Sequence, residues 1–192
     1  LELYPQAIKN FNNAIQINNN FISAQINLGI AYQAVNRIED AIKTYTKIIT
    51  TNPKLYKVAN DLGLMLKSKN NYKKAIVYFK LCLDTKPDYD KAYFNLGIAY
   101  FKINNYEKSL ENFILSIKYN PKNLDTYFEI AEIYRIQKKF NESLAYYDLS
   151  NHIKKQYKKL QCLFEQGSKL EYIKELDEIT LTNPNDRRIA SL

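Results

Sequence analysis

The sequence is poor in the residue types that carry most enzyme chemistry. It has one histidine, His152, two cysteines, Cys82 and Cys162, and no tryptophan. Two distant cysteines make no disulfide framework, and one histidine cannot complete a His/Cys zinc site. A nucleophile would also need a base and an orienting group beside it. We therefore expect no cofactor and no enzyme activity from these residues, with His152 on the surface or in packing and both thiols buried and inert.

Glycine and proline are also scarce, with four and five residues respectively. The glycines are isolated, so no glycine-rich phosphate loop is present, and a β-rich fold would need more turn residues. No apolar run is long enough to span a bilayer, and no signal peptide is evident. The chain opens with Leu1 inside a helical pattern, so we expect a fragment of a longer protein, with a cytoplasmic location.

The net charge of +8 comes largely from paired lysines. The pairs are Lys73-Lys74, Lys138-Lys139, Lys154-Lys155 and Lys158-Lys159. These lysines alternate with acidic residues around the helices, which is typical of solvated helix faces. A nucleic-acid surface needs a contiguous basic stripe, so we expect no nucleic-acid partner.

What the sequence has in abundance is self-similarity at a step of 34 residues. Prolines 53, 87 and 121 recur at this step, and so do glycines 29, 63 and 97. Three longer ladders are Ala7, Ala41, Ala75, Ser109, Ser143; then Phe11, Tyr45, Phe79, Phe113, Tyr147; then Tyr4, Ile38, Tyr72, Tyr106, Phe140. Five ladders in register indicate a tandem repeat in which each unit holds two helices.

Each ladder has a physical role in such a unit. The small residues are expected where two helices cross closely, and the glycines permit a similar approach on the first helix. The aromatic ladder that includes Tyr45 is expected to fill the gap toward the neighbouring repeat. Proline ends the second helix, because the residue before it is forced out of the α region.

The ladders also set the unit boundaries. Residues 1–21 hold the second helix of a truncated repeat, near 4–17. Full repeats are expected at 22–55, 56–89, 90–123 and 124–157, the first with helices near 22–35 and 38–51 and the second near 56–69 and 72–85. The last of them drifts, since Ala131 replaces glycine and Lys155 replaces proline.

The register then breaks at the C-terminal end. Helices near 154–166 and 170–182 form a degenerate overlapping repeat or cap over about 153–186. Asn185-Asp186 is expected to cap a further helix, so that 187–192 begins a truncated continuation. We predict a single solenoid domain over 1–192, because no linker-like segment interrupts it.

Residues 90–123 carry the clearest family resemblance. Their landmarks are Leu96, Gly97, Tyr100, Tyr106, Ser109, Phe113, Ser116 and Pro121. This pattern resembles one tetratricopeptide repeat, a helix–turn–helix unit. The resemblance implies an all-α, right-handed α-solenoid of stacked antiparallel helix pairs, a superhelix whose first helices line a concave groove. It also implies a non-catalytic scaffold that binds a protein or peptide in that groove.

Helical phase predicts the groove residues. They are Ile26, Asn27, Ile30, Asn60, Asp61, Leu64, Lys91, Phe94, Asn95, Ile98, Phe101, Phe128 and Glu132. The apolar members stand where solvent exposure is expected, which is typical of a binding groove. Phe94, Phe101 and Phe128 are the predicted anchors, since aromatics dominate interface hot spots. The alternative for each apolar residue is packing onto the next repeat.

Two family binding modes are compared with these positions. Asn27, Asp61, Asn95 and Glu129 resemble the asparagine ladder of O-GlcNAc transferases, which binds peptide backbone, but only Asn27 and Asn95 match. The chaperone-tail carboxylate clamp needs Lys, Asn, Asn, Lys and Arg. The two possible registers instead give Ile26, Ile30, Asp61, Lys91, Asn95 and Asn60, Leu64, Asn95, Asp125, Glu129. We therefore expect no binding of acidic chaperone tails.

Two alternatives remain open at this point. The chain is also consistent with a substrate-recruiting arm of a larger enzyme whose catalytic domain lies elsewhere. Asn183–Ala190 weakly resembles junctions that precede a 2-oxoglutarate/iron oxygenase domain, and a glycosyltransferase domain is the other option. Self-association through exposed solenoid ends is the second alternative, since a solenoid cut within a repeat exposes core surface.

Overall fold

The computed structural model describes residues 3–152 and 154–182, and every regular element in these ranges is an α-helix. The helices are α1 (Leu3–Ile17), α2 (Ile22–Ala34), α3 (Ile38–Thr51), α4 (Tyr56–Ser68), α5 (Tyr72–Thr85), α6 (Asp90–Lys102), α7 (Tyr106–Tyr119), α8 (Leu124–Ile136), α9 (Phe140–Leu149), α10 (Lys155–Gln166) and α11 (Lys169–Thr182). Short turns join them, which favours antiparallel packing of neighbours. The expected all-α solenoid fold is confirmed. The sequence features placed at Asn183–Ala190 lie outside the described residues.

The helices form two compact units that divide between Asn105 and Tyr106. Unit 1 contains α1–α6, and each helix packs against the next along the chain. In addition, α4 contacts α6 directly. Unit 2 contains α7–α11, again with consecutive helices in contact. The division into a single solenoid domain with the repeat boundaries given above stays a prediction.

In unit 1, an aromatic ring from each second helix fills a notch above a glycine of the first helix. A Cβ atom added to Gly63 would lie 2.5 Å from Cε1 and 2.7 Å from Cδ1 of Phe79. Tyr45 occupies the same place above Gly29. Each of these two rings thus lies against a glycine of its own repeat, and the expectation that this ladder fills the gap toward the neighbouring repeat stays a prediction. The glycine leaves room for a ring rather than for a helix backbone.

The ladder of small residues lies where it was expected, at closely packed positions. Ala41 and Ala75 in unit 1 and Ser109 and Ser143 in unit 2 are fully buried. The Ser143 hydroxyl donates a hydrogen bond of 2.9 Å to the main-chain oxygen of Ala131 on α8. A serine is tolerated at this slot because its buried hydroxyl has a partner.

Each of four first helices is followed, two residues after its end, by a residue in the left-handed conformation. Asn36, Asn70, Asn104 and Lys138 have φ values of 58–59°, and they lie 34 residues apart. The amide of the next residue then donates back to the first helix, as from Arg37 to the main-chain oxygen of Tyr32 at 2.8 Å. This is the 6→1 bond of a Schellman motif. Asparagine suits three of the four sites because it tolerates the left-handed region.

The drift expected in repeat 124–157 is a shortened second helix. A step of 34 residues from α7 would end α9 at residue 153, but α9 ends at Leu149 and Ser150 is extended, with φ −86° and ψ 159°. The Ser150 oxygen atoms are engaged: its hydroxyl donates to the main-chain oxygen of Tyr147, and its main-chain oxygen accepts from Lys155 Nζ at 2.9 Å. The early end of the helix places His152 against Phe128.

A cluster of charged residues ties α8, α9 and α10 together in unit 2. Glu132 accepts hydrogen bonds from Arg135, at 3.3 Å, and from the Tyr147 hydroxyl. Lys158 Nζ lies 3.5 Å from the Glu132 carboxylate. Arg135 reaches on to Glu165 at 3.0 and 3.2 Å. Glu132 and Arg135 are each only 14% exposed, so solvent screens this cluster weakly.

The cluster keeps Glu132 ionised. Burial by itself raises the pKa of this carboxyl, but hydrogen bonds from Tyr147 and Arg135 and the charge of Lys158 outweigh it, and the pKa is lowered overall. A lowered pKa in the folded state means that the carboxylate stabilises unit 2 above the pKa it has when unfolded. That contribution is lost as the pH falls through the folded-state pKa.

We expect Gly63→Ala to destabilise unit 1. The new methyl group would overlap the Phe79 ring, and overpacking of this kind costs about 1–3 kcal/mol, which exceeds the roughly 0.8–1.0 kcal/mol gained in helix propensity. Thermal unfolding measures the effect. In a double-mutant cycle with Phe79→Leu, the two changes should destabilise by less than their sum. Additive effects would show that the ring and the glycine are not coupled.

We expect Glu132→Gln to lower the free energy of unfolding at pH 7 by about 1–3 kcal/mol, because it removes one of the two carboxylates that pair with Arg135. Urea unfolding at a series of pH values measures this. The deficit should shrink as the pH falls below about 4.3, where an ordinary glutamate becomes protonated. The control is Glu142→Gln on α9, where the side chain is exposed. A deficit that does not change with pH, or an equal deficit for Glu142→Gln, would contradict the assignment.

Candidate functional site

The first helices of unit 1 carry the predicted groove residues of that unit. We call this set the first-helix face: Ile26, Asn27 and Ile30 on α2; Asn60, Asp61 and Leu64 on α4; Lys91, Phe94, Asn95, Ile98 and Phe101 on α6. Contact between α4 and α6 brings two of the three helices side by side. The helical phase that defines this face leaves the glycine notch on the side of each first helix that meets its second helix.

The apolar side chains of this face are incompletely buried. Ile30 is 50% exposed, and Phe94, Ile98 and Phe101 are half-buried. Ile26 and Leu64 are also half-buried, with part of their surface packed on the core of unit 1. Ile26 and Leu64 thus pack on neighbouring side chains and still present apolar surface, and the role of this set as a binding groove stays a prediction.

The predicted ladder of polar residues is not uniform in its surroundings. Asn27 is exposed, Asp61 is half-buried and Asn95 is only 6% exposed. Lys67 Nζ on α4 donates a hydrogen bond of 2.7 Å to Asn95 Oδ1 on α6. This bond uses one of the two lone pairs of the amide oxygen, whereas the amide hydrogens of Asn95 are the donors that this residue can offer a ligand.

Asn60 and Asp61 present acceptors on α4. Asn60 Nδ2 lies 3.5 Å from Asp61 Oδ1, while Asn60 Oδ1 is buried without a hydrogen-bond partner. Burial raises the pKa of Asp61, and the Asn60 amide and the charge of Lys57 only partly offset this. The Asp61 charge in turn adds to burial in raising the pKa of Tyr45, to about 12, and that of Cys82, to about 12. Asp61 therefore lies close to the core of unit 1.

Phe128 and Glu132, the two predicted groove residues of unit 2, are engaged within that unit. Phe128 is only 7% exposed. Its ring stacks on His152 with centroids 3.9 Å apart and lies 5.6 Å from the Tyr147 ring. The solvent exposure expected of Phe128 is therefore wrong, because the shortened α9 brings His152 over it. Glu132 is bound in the ionic cluster with Arg135.

The remaining sequence expectations concern the rarer side chains. His152 packs on Phe128, and both Cys82 and Cys162 are buried free thiols, as expected. Within residues 3–152 and 154–182, no three His, Cys, Asp or Glu side chains are placed to hold a metal ion. Across the same ranges, no helix combines the length and apolar character needed to cross a membrane.

Sequence reasoning missed two features of the site. The hydrogen bond from Lys67 to Asn95 joins two helices, and helical phase along one helix carries no information on distances between helices. Lys67 shares its repeat slot with Phe101, one step later, so its place on the face could be read from the ladder. The unpartnered oxygen of Asn60 has no sequence signal, because asparagine at a helix position does not reveal its burial.

Comparison with known families gives matches along most of the chain. Models described as tetratricopeptide repeat match residues 90–123 and also 22–55, 56–89 and 124–157. A model described as TPR repeat matches residues 3–36. No curated protein matches the sequence significantly.

Solved structures share this fold at low sequence identity. A structure of YrrB, described as a TPR protein with an unusual peptide-binding site, has a TM-score of 0.78 at 17% identity, covering 94% of this chain and 96% of its own. PilF of Pseudomonas aeruginosa has a TM-score of 0.76 at 16% identity, with coverage of 99% and 89%. A structure of MamA has a TM-score of 0.74 at 20% identity, with coverage of 82% and 91%.

At these identities the structural likeness bears on the fold alone. The family matches are independent of it, and together they span well over half of the 192 residues. They repeat at the same 34-residue step as the ladders of small and aromatic residues. The chain therefore belongs to the tetratricopeptide repeat family.

Proposed function

We propose that this chain is a protein-interaction scaffold and that unit 1 binds an extended peptide segment along its first-helix face. The observation that carries the proposal is the incomplete burial of a set of apolar side chains on α2, α4 and α6. Ile30 is the most exposed of them, at 50%. The slots that build the repeat, such as Ala41 and Phe79, are by contrast fully buried. Apolar surface that the fold leaves uncovered is available to a partner.

The polar groups of the same face suit a peptide backbone. An extended peptide presents amide hydrogens and carbonyl oxygens that lose water when they are bound, and each needs a partner. Asn27 is exposed and can both donate and accept. Asp61 supplies an acceptor, and the amide group of Asn95 supplies a donor. Polar and apolar contacts thus alternate on one face, as in ligand sites that fix both position and orientation.

The likeness to YrrB supports this proposal at the level of the fold. That protein is described as having an unusual peptide-binding site, so the shared architecture is able to hold a peptide. The residues that would do so here are argued from this chain alone, because 17% identity transfers no site. No catalytic step is part of the proposal.

Unit 2 is left out of the proposed site for a physical reason. Phe128 is covered by His152 and Tyr147, so its ring has little surface left to give to a partner. Withdrawing Glu132 from Arg135 would leave this poorly solvated cation with Glu165 as its remaining ion-pair partner and would also break the bond from Tyr147, which is costly. These residues are therefore better explained by the stability of unit 2 than by binding.

We expect Ile30→Ala and Phe94→Ala each to weaken binding of a peptide selected on the wild-type protein. Removal of a well-placed apolar anchor costs about 1 kcal/mol or more, which is roughly fivefold or more in affinity. A peptide obtained by display selection on the immobilised chain serves as the probe, and titration calorimetry measures its affinity for each variant.

The matched control is Val77→Ala on α5. Val77 is 60% exposed but lies on a second helix, so its truncation should leave the affinity unchanged. Thermal unfolding confirms that each variant is folded. Equal losses for Val77→Ala and Ile30→Ala, or no loss for Ile30→Ala and Phe94→Ala, would place the binding surface elsewhere.

A further inference from the structure

Asn60 and Asp61 form a pair of hydrogen-bond acceptors that the fold leaves short of donors. Asn60 is only 4% exposed, and its Oδ1 atom has no hydrogen-bond partner in the part of the chain that the structure describes. Its Nδ2 atom is directed at Asp61, at 3.5 Å, the long limit of a hydrogen bond. The reverse orientation of the amide would set its oxygen against the carboxylate, so the observed orientation is the favourable one. A buried carbonyl oxygen without a donor loses its hydration with no hydrogen bond in return, which is unfavourable.

The Asp61 carboxylate is likewise short of a partner, in its case a cation. It is half-buried, yet no lysine or arginine forms an ion pair with it within residues 3–152 and 154–182. Lys57, one helical turn earlier, turns its ammonium group toward the Tyr56 ring, at 6.0 Å from the ring centre. Lys67 donates to Asn95 instead. A half-buried carboxylate that forms no ion pair has lost part of its hydration without a paired cation to replace it.

We propose that this acceptor pair binds a cationic side chain, arginine in preference to lysine, carried by the peptide that the first-helix face takes up. The inference rests on the proposed function, since it names the chemistry of that same ligand. One acceptor is a carboxylate and the other is an amide oxygen on the adjacent residue. A group that satisfies both must offer several donors and a positive charge.

The guanidinium group meets this requirement best. It is planar and always charged, and it holds five N–H donors in a fixed fork. One edge can donate to the Asp61 carboxylate, as in other arginine–carboxylate pairs. A remaining N–H would supply the donor that the buried Asn60 oxygen lacks, if the amide rotates toward the ligand. Guanidinium is also less strongly hydrated than ammonium, so it loses less on entering a half-buried site.

The net charge of the chain makes this inference sharply testable. At +8, the protein as a whole attracts anions and repels cations. Lys57, Lys67 and Lys91 lie around the same face and add to this bias. Non-specific electrostatics thus predicts enrichment of acidic peptides, and only a local acceptor site predicts enrichment of basic ones.

The test is a display selection with a random twelve-residue peptide library, run in parallel on three forms of the chain. These are the wild type, Asp61→Asn and Asp84→Asn. Asp84 is an exposed aspartate on α5, so its substitution makes the same change in net charge away from the first-helix face. We expect arginine to be enriched on the wild type and on Asp84→Asn, and to fall to its library frequency on Asp61→Asn.

A second measurement does not depend on how well Asp61→Asn folds. The strongest arginine-containing peptide is synthesised with arginine or with citrulline, its neutral isostere, at the enriched position. Titration calorimetry on the wild-type chain should show about a tenfold weaker affinity for the citrulline peptide, as expected for loss of a charged hydrogen-bonding partner.

The possible outcomes distinguish a failure of this inference from a failure of the peptide-binding proposal. Enriched peptides without arginine or lysine, or equal affinities for the arginine and citrulline peptides, would overturn this inference and leave the peptide-binding proposal standing. Arginine enrichment that persists on Asp61→Asn would also overturn it, because the cation would then be bound elsewhere. If no peptide is enriched on the wild type, both the inference and the proposed function fail.

Discussion

The packing of an aromatic ring over a glycine is the contact on which each helix pair of unit 1 depends. The Phe79 ring lies where the Cβ atom of any larger residue at position 63 would be. This ring is fully buried, as is its counterpart Tyr45. An aromatic side chain buries a large apolar area in a single rigid group, so one such contact per pair fixes how closely the two helices approach. The small residues Ala41 and Ala75 allow that approach on the other side of the crossing.

Because the glycine contact uses one side of each first helix, the amino acids on the other side are free to vary. The glycine side is committed to the second helix of the same repeat, whereas the first-helix face is covered only in part. Asn27, Asp61 and Asn95 can thus differ in size and charge at equivalent positions of the repeat without disturbing the glycine notch. The proposed binding surface and the contacts that build the repeat occupy different sides of one helix, which explains why a regular fold carries an irregular surface.

The sequence predicted the helices well because their ends depend on local chemistry. Prolines 53 and 87 follow α3 and α5 by two residues, as the restriction of the residue before proline requires. The 34-residue step then carried these bounds along the chain. The 34-residue step did not predict the end of α9, where Lys155 replaces the proline and the helix ends early at Leu149.

The candidate site was less predictable, since it depends on distances between helices. Phe128 has the helical phase of a groove residue, but its burial follows from the position of His152, which the regular step would have placed within the helix. Lys67 could be assigned to the face, although its bond to Asn95 could not. The direction of the Tyr45 ring toward Gly29 was missed for the same reason, because a ladder identifies a slot and not its neighbour.

The left-handed residues at Asn36, Asn70 and Asn104 have a consequence for how such repeats change over time. Each turn closes through its own main-chain bonds, such as that from Asn71 to the main-chain oxygen of Leu66 at 2.9 Å. The shape of the hairpin is therefore set inside a few consecutive residues and does not rely on the side chains of the first-helix face. A whole repeat can then be duplicated or exchanged together with the turn that sets the geometry of its hairpin. The residues available for recognition can change through such exchanges, while the path of the backbone stays the same.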